Sequence, residues 1–350
     1  MNRMMNTRHQ FSQARRVVVK VGSNVLTLDQ GLHLPVIASI SHEIGHLMSA
    51  GRQVILVSSG AMAAGMRKLQ LPERPSAIPA RQAVAAVGQA GLILAYENAF
   101  DRDGRKVAQI LLTAEDMTNR KRYLNARNTL NTLLEWGVVP IVNENDTVMV
   151  EEIKFGDNDN LAAVIALLMD ADLLINLTDI DGLYNKDPRV FADAQLLPEI
   201  DTIGKDIERY AGEIPGALGT GGMLTKIKAA RKVTAAGIPM VIAQGYRSDT
   251  LLRLAAGEAL GTFFEPRKQK LNRKKCWIGY TVNPQGSLQV DAGAARALLS
   301  NGKSLLPSGI VAVLGDGSTT LSERWKVYSH SPERTVRSLI KAPAGAPELP

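Results

Sequence analysis

The chain has 350 residues, 45% hydrophobic and 21% charged. At roughly 150 residues per domain this predicts about two domains, and the balance excludes a disordered or low-complexity chain. A single cysteine, Cys276, excludes a disulfide framework and a Cys-rich zinc site, and suits a reducing cytoplasm. Residues 1–20 hold no apolar core, so no secretory signal is expected. The longest apolar run, 161–169, is far short of the ~20 residues a membrane helix needs. The net charge of +7 is unevenly placed: residues 1–20 carry +5, residues 265–275 another +5, and the remainder is slightly acidic. A solvated tail and a basic linker are the expectation, with an RNA-facing patch as the alternative.

In chain order, apolar runs at 17–19, 54–57, 107–112, 138–142, 173–177 and 240–242 are continuous rather than alternating, as in strands buried on both faces. Amphipathic stretches lie between them, among them 36–48, closed by Gly51, and 124–134, closed by Gly137. Repeated βα units predict an open, mainly parallel sheet sandwiched by helices. The basic stretch 265–275 breaks the pattern. Beyond it, residues 277–313 read as short strands around one helix at 293–299, a second and smaller domain.

Polar and glycine residues follow several of the strands: Lys20-Val21-Gly22-Ser23, Ser58-Ser59-Gly60-Ala61, Asn143-Glu144-Asn145-Asp146, Thr178-Asp179 and Gln244-Gly245. In an open α/β sheet ligands sit beyond the carboxyl ends of the strands, so this gathering describes a site. Gly219-Thr220-Gly221-Gly222-Met223-Leu224-Thr225-Lys226 opens a further helix. Consecutive glycines let backbone N–H groups approach a phosphate, and a lysine at a helix start runs against the dipole, which makes it a functional candidate, the alternative being a flexible loop with a surface lysine. No Walker A loop occurs, because Ala297 stands where Gly302-Lys303-Ser304 would need its first glycine. No Gly-x-Gly-x-x-Gly follows the first strand either. Gly156-Asp157-Asn158-Asp159-Asn160 supplies more caps than one helix needs, with Lys154 just upstream, and suggests amides and carboxylates that organise lysines and bind a polar substrate. His42-Glu43-Ile44-Gly45-His46 matches a zinc-protease pattern, but at ~100° per residue both histidines fall opposite the apolar face, and no zinc site is expected.

With these motifs in view, together with Tyr123-Leu124-Asn125-Ala126-Arg127-Asn128-Thr129, the chain resembles the amino acid kinase family. Asn143-Glu144-Asn145-Asp146 and Gly156-Asp157-Asn158-Asp159-Asn160 point to its glutamate 5-kinase branch, which carries a PUA-like domain. The resemblance implies ATP-dependent phosphorylation of the γ-carboxylate of L-glutamate, the first step of proline biosynthesis, with Mg2+ accompanying ATP. It implies that Lys20 and Lys226 contact the phosphates and that Asp159 holds them. Thr178, Asp179, Thr220, Gly221, Gly222, Met223, Leu224, Thr225 and Lys226 would bind the nucleotide, and Ser59, Asp146 and Asn158 the glutamate. It implies a kinase domain over 14–264, a linker over 265–275 and a PUA-like domain over 276–317. It further implies a homo-oligomer, feedback inhibition by proline, handover of product to glutamyl phosphate reductase, and a cytoplasmic location. Residues 318–350 depart from the family, showing none of its Gly-rich strands. Competing readings are a kinase for N-acetylglutamate or another small acid, and an RNA-binding regulator, for which few aromatics are present to stack bases. Asp146 favours a free α-amino group, since a carboxylate pairs with an ammonium.

Overall fold

The computed structural model describes residues 11–28, 31–148, 158–212, 222–267, 286–299, 303–314, 325–329 and 335–336. The chain divides into two compact units, Met1–Leu271 and Asn272–Pro350.

The first unit is built on an eight-stranded sheet. Its strands are β1 (Arg16–Val21), β4 (Gln53–Ser58), β5 (Val107–Leu112), β6 (Val139–Glu144), β7 (Leu173–Thr178), β8 (Glu199–Ile200), β9 (Met240–Gln244) and β10 (Thr262–Phe264), while β2 (Thr27–Leu28) and β3 (Gly31–Leu32) form a separate hairpin. Across the sheet the order is β5-β6-β4-β1-β7-β9-β10-β8, and every neighbouring pair is parallel except β9 with β10. All six strands expected from the apolar runs are present. The two missed, β8 and β10, are too short to carry a pattern. From β1 the chain builds one side of the sheet with β4, β5 and β6, which lie across it in the order β4, β6, β5, then returns to the other side of β1 as β7. A topological switch point therefore lies beside β1, where such sheets bind ligands.

The helices of this unit are α1 (Ser23–Leu26), α2 (Leu34–Ser49), α3 (Ala61–Lys68), α4 (Ile78–Asp101), α5 (Ala114–Thr118), α6 (Arg120–Glu135), α7 (Asn158–Leu168), α8 (Lys205–Gly212), α9 (Met223–Ala235) and α10 (Thr250–Ala255). Gly51 and Gly137 stand just past α2 and α6 at φ +82° and +70°, the left-handed stop expected of them. Helix α7 is apolar around most of its circumference and is buried from Leu161 to Leu168, packed against α9 and over β1. Helix α4 escapes the periodicity because Val87, Ile93, the exposed Leu94 and several alanines place apolar residues on its other faces as well as on the buried one. It is long and apolar enough, by length and composition, to cross a membrane. Here it packs against α3 and α2, burying Val84, Gly88, Leu92, Tyr96 and Phe100.

The α3–α4 contact depends on glycine. A Cβ built on Gly88 would stand 1.8 Å from the Ala61 carbonyl oxygen, and one on Gly65 1.8 Å from that of Val84. Backbone cannot yield as a side-chain tip does. Gly88→Ala is therefore expected to lower the urea midpoint, with a loss of at least about 1–3 kcal/mol. An unchanged midpoint would show that the helices separate without cost. Their spacing matters to the site, since α3 begins directly after Ser59 and Gly60, the latter at φ +103°.

The second unit holds β11 (Gly286–Val290), α11 (Ala292–Leu299), β12 (Ile310–Leu314), β13 (Trp325–Ser329) and β14 (Thr335–Val336). Its four strands lie in the order β12-β11-β13-β14, with β11 and β13 parallel. Leu288, Val290 and Ala295 form its small core. Two of these strands stand beyond Ser318, where the sequence shows no strand pattern; pairing with β11 extends the sheet there.

Candidate active site

Lys20 is the last residue but one of β1 and Asp159 the second of α7, so strand and helix bring them together at the switch point. The Lys20 ammonium lies 2.6 Å from Asp159 Oδ1, and that of Lys226, from the first turns of α9, 3.1 Å from Oδ2. Lys20 and Lys226 are 4% and 5% exposed and Asp159 is fully buried, so these are desolvated charges. The Thr225 hydroxyl donates to Asp159 Oδ2 (2.7 Å) and the Asn176 amide to Oδ1 (2.8 Å). Burial pushes the Asp159 carboxyl up, but Lys20 and Lys226 outweigh it and hold the group far below the usual carboxylate range. Two ammoniums thus converge on one buried carboxylate, with the Asp179 charge also acting on Lys226, and a pair of ammoniums held side by side suits phosphate oxygens.

Asn158 stands beside Asp159 on α7 but turns toward β4 and β6. Its amide donates to the Ser59 hydroxyl (3.0 Å), the Ser58 carbonyl (2.8 Å) and Asn143 Oδ1 (2.9 Å). Asn143 in turn donates to Gln89 Oε1 (2.7 Å) on α4, and Ser58 Oγ lies 3.0 Å from the buried Tyr96 hydroxyl. Asp146 follows β6 in a single 3-10 turn, Asp146–Val148, half-buried. Burial raises its carboxyl above the ordinary range, and the nearby Arg74 charge opposes this. On the other flank, Asp179 follows β7 and accepts from Asn24 (3.1 Å) and Thr178 (3.0 Å). Burial opposes its charge, and these two bonds with the Lys226 charge keep the carboxyl below its ordinary value.

Eight of the residues expected from sequence fall into three groups, and Asp146 is in none of them. Lys20, Asp159, Thr225 and Lys226 form the centre. Ser59 and Asn158 lie toward β4 and β6, and Thr178 with Asp179 toward β9. Gly222 caps α9 through its carbonyl, and Met223 is buried beneath it, with Leu224 half-exposed. Thr220 and Gly221 lie outside the described residues, as do Gly156 and Asp157. Sequence reasoning left out Asn143, Gln89, Asn176, Asn24 and Arg74. Of these only Asn143 sat in a noted motif; the others are single polar residues brought in by tertiary packing.

The histidines 42 and 46 stand elsewhere, on α2. Their Nε2 atoms are 3.1 Å apart, and His42 Nδ1 lies 3.1 Å from Asp103. Glu43 between them is buried and accepts the Leu251 backbone N–H (2.7 Å), which ties α2 to α10. Among the described residues no group of three or more His, Cys, Asp or Glu could hold a metal ion.

The chain belongs to the amino acid kinase family, whose sequence profile matches residues 15–244. Two solved structures share the fold: a UMP kinase from Bacillus anthracis (TM-score 0.51, 15% identity, covering 72% of this chain and 96% of that one) and a carbamate kinase from Giardia lamblia (TM-score 0.53, 19% identity, 73% and 100%). Within the family, the chain is 51% identical over 306 residues to a glutamate 5-kinase of Geobacter sulfurreducens, spanning 87% of this chain and 82% of the relative. It is 48% identical over 326 residues to a glutamate 5-kinase of Caldanaerobacter subterraneus subsp. tengcongensis, spanning 93% and 87%.

Proposed function

We propose that this chain is a kinase that transfers the γ-phosphoryl group of ATP to the side-chain carboxylate of L-glutamate. The observation that carries the reading is the turn of α7, where Asp159 gathers two buried lysines while its neighbour Asn158 reaches Ser59 and Asn143. One helix end thereby joins a cationic centre, suited to phosphates, to a polar group suited to an amino acid. The similarity to glutamate 5-kinases supports glutamate as the acid.

In this reading a γ-carboxylate oxygen of glutamate attacks the γ-phosphorus of ATP, the bond to the β–γ bridging oxygen breaks, and ADP leaves. The carboxylate is already ionised at neutral pH, so no strong general base is required. Positioning and charge stabilisation carry the rate. Lys20 and Lys226, held side by side on Asp159 before ATP arrives, turn to the phosphate oxygens. Thr178, Asp179 and the segment 220–226 hold the nucleotide. Ser59 and Asn158 orient the glutamate, and Asp146 accepts its α-ammonium. Mg2+ neutralises phosphate charge when bound. The second unit, read as a PUA-like domain, modulates rather than performs the reaction. Assembly into a homo-oligomer, inhibition by proline, transfer of the product to a reductase and a cytoplasmic location belong to the same proposal.

The test is ATP consumption with Mg2+ and a panel of acids, with any acyl phosphate trapped by hydroxylamine. L-Glutamate is expected to give the hydroxamate, and N-acetylglutamate and aspartate much less. Equal turnover of the acetylated acid would remove the role given to Asp146, because an amide nitrogen offers no charge to pair.

A further inference from the structure

Asn176 is an unexpected residue for its place. It lies within β7, between Ile175 and Leu177, is fully buried, and is registered between Lys20 of β1 and Ile242 of β9. Strand interiors disfavour asparagine, and the other positions from Leu173 to Leu177 are apolar. Its amide nitrogen donates to Asp159 Oδ1 at 2.8 Å, while its own Oδ1 is buried with no hydrogen-bond partner. An orphaned buried carbonyl is destabilising, and an aliphatic side chain would avoid it. The reverse orientation of the amide would set two oxygens against each other. The one bond it makes is thus the feature that accounts for the residue.

We infer that Asn176 is a positioning residue for phosphoryl transfer, whose neutral amide fixes Asp159 while the two lysines exchange that carboxylate for phosphate. The inference rests on the kinase reading above. Asp159 Oδ1 is shared by Lys20 and Asn176. When Lys20 moves to a phosphoryl oxygen, Oδ1 loses its closest donor. Asn176 carries no charge that a phosphate could attract, so it remains. It holds the carboxylate ionised and oriented, and the lysines keep a fixed point from which to act.

Two variants test this, measured beside the unaltered protein in the hydroxylamine assay. Asn176→Leu removes the orphan along with the donor. It is expected to fold with an unchanged or raised Tm, to lose about tenfold to a hundredfold in kcat, and to keep its KM for glutamate within about twofold. Asn176→Asp keeps the shape but places one carboxyl against another, so one of the two stays protonated to unusually high pH. In its acid form the new carboxyl donates to Asp159 as the amide does. Activity of this variant should therefore fall as pH rises, over a range where the unaltered enzyme is flat. A folded Asn176→Leu with unaltered kcat would overturn the inference. Should that variant not fold, an Asn176→Asp profile parallel to the parent's would overturn it equally. Absence of acyl phosphate from the unaltered protein would instead bring down the glutamate reading, and this inference with it.

Discussion

Lys226→Ala is expected to lower kcat by about 10²–10³, the loss typical when one preorganised charge-stabilising donor is removed. The ammonium is buried and lies 3.1 Å from Asp159, so it is held before substrate arrives and acts where water screens it little. Folding should survive, because Asp159 keeps Lys20 at 2.6 Å and the remaining pair is neutral. The KM for glutamate should change little, since Ser59, Asn158 and Asn143 are bonded to one another and not to this lysine. The KM for ATP should rise to the extent that Lys226 holds the ground-state phosphates as well. Lys226→Arg should not restore the rate: a planar guanidinium does not reproduce a compact ammonium in a buried socket. Lys228→Ala, exposed on the same helix, is the matched control and should leave kcat unchanged. Steady-state kinetics on the three variants decide the matter. Near-normal kcat in Lys226→Ala would take the residue out of the reaction.

The sheet was legible because its central strands are buried on both faces and so read as nearly continuous apolar runs, interrupted only singly, as by Asn176 in β7. The same physics hid α4. Its buried face runs through Val84, Gly88, Leu92, Tyr96 and Phe100, but apolar residues on its other faces blur that stripe, and its contact with α3 rests on Gly88 and Gly65, which no hydrophobic pattern marks. Also hidden were β8 and β10, which the sheet completes at its edge in two and three residues. At the site, the residues gathered in motifs could be found because several polar groups in a row exceed what a turn or a cap requires. Asn158 and Asp159 are adjacent in sequence, yet the helix turns them toward different neighbours, and no spacing rule separates their roles. Asn176, Gln89 and Asn24 had no such signal. Each is one polar residue in an ordinary stretch, and its partner is fixed only when distant strands and helices pack.

Asp159→Asn is expected to be more damaging than loss of either lysine, in stability as well as rate. Its two oxygens receive Lys20 and Asn176 on one side and Thr225 and Lys226 on the other. An amide can accept on one side only, so its NH2 would face donors. Both lysines would then lose the buried carboxylate that they share. Removing one partner of a buried ion pair costs about 3–5 kcal/mol, and that loss is expected in urea unfolding at neutral pH. The pH dependence follows from the depressed carboxyl of Asp159. A group held lower in the folded state stabilises fully above its unfolded pKa, near ~3.9, and this contribution is lost as pH falls toward the folded value. The gap between parent and variant should therefore be constant around neutrality and narrow below about pH 4. ATP supplies the missing negative charge, so at equal concentration it should raise the variant's Tm by at least as much as the parent's. Phosphoryl transfer should still fall sharply, because two ammoniums with no carboxylate between them repel and leave their shared position. A variant as stable as its parent, with an unchanged rate, would mean that the lysines are held by something other than Asp159.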